Sequence, residues 1–146
     1  MRRRRGFTII EILIVIMIIA IIFTAMGINI SSLQREANIS RVKADLKTLQ
    51  LAVESYYKNY MYVFPPEGEY QTILIEATPR ILEGNQIDPF GETTSTLYRY
   101  KLSPNGSYYV IYSLGMGRSG KAAVSDDGVL SESGGPILIS NGVLDK

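Results

Sequence analysis

Residues 2–22 read RRRRGFTIIEILIVIMIIAII, and the reading of that stretch decides the architecture. Beyond it the chain stays uncharged from Ile12 to Gln34, 23 positions in a row. As a helix rising ~1.5 Å per residue, such a run is long enough to cross a bilayer core of ~30 Å. The four arginines precede it directly, which places residues 1–6 in the cytoplasm and everything after about residue 35 on the far side. Glu11 stands near the start of the apolar run. A carboxylate at membrane depth is costly and marks function.

Two readings of this segment follow from the residues alone. A cleaved secretory signal has the same basic start, but its apolar region is ~7–15 residues long and ends at a small-residue site. Here the run is longer, and no A-x-A pattern follows Thr24 or Ala25. An uncleaved membrane anchor accounts for length and charge and leaves Glu11 without a role.

Past Gln34 the pattern changes from continuously apolar to periodic. Ile39, Val42, Leu46, Leu49, Val53, Tyr56 and Tyr60 recur at spacings of three or four, with charged residues largely between them. That is one apolar stripe of an amphipathic helix packed on a single core. No proline occurs between Phe7 and Phe64, so span and stripe are expected to form one helix, locally weakened at Gly27 and ended by Pro65 and Pro66.

The remainder reads as a short helical turn at Tyr70–Glu76, a loop, and then strands. LYRYKL (97–102) and SYYVIYSL (107–114) flank the turn SPNG as an antiparallel hairpin, and PILIS (136–140) supplies a third strand. The expected fold class is α+β: a long amino-terminal helix, its first half transmembrane and its second amphipathic, packed on a small antiparallel sheet. The expected segments are 1–6, a basic leader; 7–34, the span; 35–64, the amphipathic helix; and 65–146, loop and antiparallel sheet with an acidic carboxy-terminal loop. Alternate tyrosines of the hairpin are expected to pack on the helix, with the others wet on the outer face.

Composition narrows the function classes. The 146 residues hold 15 basic and 14 acidic side chains, but without Arg2–Arg5 the balance is 11 against 14, or −3, so nucleic acid is not an expected partner. Cysteine and histidine are both absent, which excludes a disulfide framework, a Cys/His zinc site and imidazole-based nucleophilic catalysis. No nucleophile–base spacing or phosphate loop is visible, so no catalytic residues are expected and the chain is not read as an enzyme.

RRRRG followed by FTIIEILIVIMIIAII closely resembles the class III leader of type IV prepilins and pseudopilins. The resemblance implies that a membrane prepilin peptidase cuts after Gly6 and methylates the new amine of Phe7, and that Glu11 meets such an amine on a neighbouring subunit in a fibre. Paired in that way, neither charge is left alone in low dielectric. Further along, DPFG, YRY, YYVIYSLG and the acids Asp126 and Asp127 resemble the major pseudopilin of type II secretion systems.

That resemblance implies a homopolymeric pseudopilus, helped by minor pseudopilins and an inner-membrane assembly platform, that drives protein export. The implied location is the bacterial inner membrane, with a periplasmic carboxy-terminal domain. The alternative is a type IV pilus pilin for adhesion, motility or DNA uptake. The resemblance also implies calcium held by Asp126, Asp127 and carbonyls near Leu114. The aspartate usual after YSLG is missing here, where Gly117 and Arg118 stand. The plain alternative for Asp126-Asp127-Gly128 is a solvated turn.

Overall fold

The computed structural model describes residues 7–27 and 30–144. The basic leader, including the expected cleavage residue Gly6, lies outside the described residues, as do Ile28 and Asn29 of the expected weak point in the helix. The chain divides into two compact units, Met1–Ala37 and Asn38–Lys146.

In the first unit, helix α1 (Ile9–Gly27) is apolar on all sides. Its large side chains are exposed around the whole circumference, from Ile9 at 84% to Ile19 at 45%. A helix apolar all round needs lipid or other protein as its surroundings. Among the described residues no helix is long and apolar enough to cross a membrane. The expected span, 7–34, includes positions 28 and 29.

Helix α2 (Ile30–Asn59) turns its stripe into the core of the second unit, burying Val42, Leu46, Leu49, Ala52 and Val53. Ile39 and Tyr56 of the expected stripe pack at its margin. The helix ends at Asn59, five residues before the expected end at 64. The reason is a left-handed cap. Met61 and Tyr62 have φ of 54° and 58°, and the Tyr62 N–H donates to the Tyr57 carbonyl five residues back. The Tyr57 and Tyr62 rings, 5.4 Å apart, close the cap edge to face. The chain has therefore left the helix before the prolines could stop it.

Helix α3 (Tyr70–Glu76) forms where expected, and the hairpin forms as β1 (Arg99–Leu102) and β2 (Tyr109–Ser113). Strand β5 (Ile137–Ser140) pairs antiparallel with the other side of β2, giving a sheet of order β1-β2-β5. The fold is α+β, as expected.

The acidic carboxy-terminal stretch, expected as a loop, contains a second sheet. Strands β3 (Lys121–Val124) and β4 (Val129–Ser133) form an antiparallel hairpin, and β6 (Val143–Leu144) adds parallel to β4. Tyr109 and Ile111 of β2 face the α2 core, while Val110 and Tyr112 pack in a second core with Ala122, Val124 and Leu130. All five residues of β2 are buried. A continuous apolar run is what burial on both faces requires. The expectation of wet outer tyrosines is thus corrected at Tyr112, which is 7% exposed.

Candidate functional site

At the amino terminus, Thr8 opens α1: its carbonyl accepts from the N–H groups of Glu11 and Ile12. Glu11 lies in the first turn, where a negative charge meets the positive end of the helix dipole. Phe7 precedes the helix and is 77% exposed. The Glu11 side chain is exposed too, and no ion pair to it occurs among the described residues. Among the described residues, the arrangement is a carboxylate with no ion-pair partner on an exposed apolar surface.

In the second unit the DPFG and YSLG motifs meet in a buried anchor that local sequence does not assign. Asp88 of DPFG is 2% exposed. One of its oxygens accepts from the Ser113 hydroxyl at 2.7 Å and from the Phe90 N–H at 2.9 Å, and the other accepts from the Leu114 N–H at 3.0 Å. DPFG and YSLG are therefore two halves of one buried polar joint. The sequence signal for it is the turn pattern of an aspartate followed by Pro89 and, three residues on, Gly91; the Gly91 N–H does donate to the Asp88 carbonyl.

The joint uses Leu114 for packing and backbone bonding. Its carbonyl accepts from the Gly120 N–H at 2.9 Å, which closes the Gly115–Gly120 loop just before β3 begins. Asp126 lies past the other end of β3, where its carboxylate accepts from the Asn105 N–H of the β1–β2 turn at 2.7 Å. Four strand residues separate the two places, ~13 Å at ~3.3 Å each. Asp126 and Asp127 are exposed in the β3–β4 turn. No cluster of three or more acidic side chains that could hold a metal occurs among the described residues. Leu114 thus stands before β3, and Asp126 and Asp127 follow it in the turn to β4.

Two further carboxylates bind tyrosine hydroxyls. Tyr98 donates to Asp45 at 2.9 Å and Tyr109 to Glu54 at 3.2 Å, tying the sheet to two places on α2. Burial, followed by the adjacent Asp45 carboxylate, pushes the Tyr98 phenol well above the ordinary tyrosine range. Burial does the same for Tyr100, Tyr109 and Tyr70. Tyr98, Tyr109 and Tyr70 hold the domain together as neutral donors, while the buried Tyr100 hydroxyl has no hydrogen-bond partner among the described residues and contributes by packing.

No curated protein and no solved structure matches the chain. Over residues 1–27 it does match one family description, that of the prokaryotic N-terminal methylation motif. That match supports a type IV pilin-like subunit, cleaved and N-methylated at its amino terminus.

Proposed function

We propose that the protein is the structural subunit of a type II secretion pseudopilus, cut after Gly6, methylated at Phe7 and polymerised through its amino-terminal helix to drive export. The observation that carries this reading is the coincidence of the methylation motif with a helix exposing apolar side chains on every face. Such a surface is satisfied by lipid before assembly and by neighbouring helices after it. Glu11 acts as the assembly device, its charge neutralised by the Phe7 amine of another copy. Prepilin peptidase, minor pseudopilins and an inner-membrane platform are the partners this role requires. The role is that of a scaffold, and the tyrosines described above serve packing.

The joint between DPFG and YSLG favours secretion over the alternative of a type IV pilus, since these are the motifs shared in the resemblance. The absence of cysteine points the same way, because many type IV pilins that the chain resembles close a carboxy-terminal loop with a disulfide. The test is the intact mass of the full chain recovered from membranes, with and without co-expressed prepilin peptidase. A product beginning at Phe7 with an added methyl is expected. A chain still beginning at Met1 beside active peptidase would return the segment to a simple anchor. Restoration of protein export, rather than of surface pili, in cells lacking their own subunit separates the two fibre types.

A further inference from the structure

The second sheet covers only part of the first. On the outer face of the β1-β2-β5 sheet, β2 and β5 present Val110, Tyr112 and Leu138, which pack against β3 and β4. Strand β1 presents Arg99 and Lys101 on the same face, and both are exposed. Between β1 and β3 lies an open cleft of about 1250 Å³, lined by both strands.

Register shows which backbone groups face that cleft. The Ser125 N–H bonds the Val129 carbonyl, so Lys121, Ala123 and Ser125 form the bonded pairs with β4. Ala122 and Val124 therefore direct their N–H and C=O groups away from β4, and β3 is an edge strand with no second neighbour among the described residues. The corresponding edge of β1 is partly covered. The Leu102 N–H donates to Glu67 and the Tyr98 carbonyl accepts from the Tyr70 hydroxyl. No comparable cover exists on β3 among the described residues. Proteins usually blunt such an edge with a bulge, a proline or a covering loop.

We infer that the β3 edge is a docking site for an extended peptide segment bearing carboxylates at alternate positions. A strand added beside β3 extends the second sheet over the uncovered face of β1. Its main chain bonds Ala122 and Val124, and every second side chain points down at Arg99 and Lys101. Lys101 is engaged with Glu67 at 2.7 Å. Arg99, Arg118 and Lys121 also line the cleft and have no ion-pair partner among the described residues, against Glu92 and Glu132 in the same state. The cations beneath the vacant lane set the preference for acid. This site is separate from the amino-terminal assembly helix and does not depend on the fibre reading.

The test uses the full chain in detergent micelles and two capped octapeptides, one alternating glutamate with threonine and the other lysine with threonine. The glutamate peptide is expected to shift the Ala122 and Val124 amide resonances saturably, and the lysine peptide to leave them in place. Ala122→Pro removes an edge-facing N–H without breaking a β3–β4 bond, and should abolish binding. Arg99→Glu, an exposed change that spares the fold, should weaken the glutamate peptide by at least about tenfold and favour the lysine peptide. Glutamate-peptide binding unchanged in Arg99→Glu, or no shift up to millimolar peptide, would overturn the proposal.

Discussion

The Asp88 carboxylate accepts the Ser113 hydroxyl at 2.7 Å across 25 residues of chain, inside a site where both residues are almost fully buried. A lone carboxylate there would be costly. Three donors, from Ser113, Leu114 and Phe90, make it a rigid joint between the loop after α3 and the end of β2.

Removing that carboxylate leaves those donors buried without an acceptor. Asp88→Ala should lower the unfolding free energy by about 3 kcal/mol, while Asp127→Ala, in an exposed turn, should change it by less than about 0.5 kcal/mol. Urea unfolding of the two variants measures the difference. Equal effects would remove the joint from the account of stability.

Gly120 is a second point where the same region allows no side chain. A Cβ there would stand 2.6 Å from the Leu114 carbonyl oxygen and 2.8 Å from the Pro136 Cα, both backbone atoms. Gly120→Ala should therefore cost about 2 kcal/mol, and amide exchange should show the Gly115–Gly120 loop released from Pro136. An unchanged melting temperature would mean that the loop yields freely.

The buried tyrosines set the alkaline limit. Burial raises Tyr98, Tyr100, Tyr109 and Tyr70 above the ordinary value of 10.0, so the folded chain binds more protons than the unfolded one at high pH. Their stabilisation is complete below pH 10 and is lost progressively as pH rises above it. In a titration, tyrosinate absorbance should rise in two stages, exposed phenols first and the buried set only together with loss of the fold. A single stage near pH 10 with the fold intact would contradict their burial.

At the acid end the relevant pair is Glu67 and Lys101. Partial burial pushes Glu67 up, but its hydrogen bonds from Lys101 and the Leu102 N–H, with the Lys101 charge, bring it below the ordinary 4.5. Its contribution is present above pH 4.5 and is lost as pH falls through the lowered value. Because the pair is largely exposed, Glu67→Gln should cost well under about 1 kcal/mol at neutral pH and nothing once both forms are protonated. Melting curves at the two pH values test this.

Glu11 carries the assembly prediction. Glu11→Ala should leave cleavage after Gly6 intact and reduce fibre formation at least about tenfold, since an unneutralised amine then remains at each contact. Mass spectrometry reads the first effect and sheared-fibre yield the second. Normal fibres from the variant would sink the role assigned to Glu11.

The helix stripe at Val42, Leu46, Leu49 and Val53, the turn of helix at Tyr70, the hairpin and its third strand at 137–140 were all legible in the order of residues, because each is a local periodicity or a turn signal. The methylation motif was legible for the same reason: its residues are neighbours in sequence. The early end of α2 was not, since two non-glycine residues adopt a left-handed conformation there, where the Tyr62 N–H bonds the Tyr57 carbonyl and the two rings meet. Nor was the second sheet. KAAV is built on alanines of low β propensity and VLSES has only two apolar residues, and they become strands with Ala122, Val124 and Leu130 packed on the outer face of β2. Nor was the bond from Ser113 to Asp88, which joins residues 25 positions apart. Contacts between residues far apart in sequence depend on how layers stack, and stacking is a property of the folded chain as a whole.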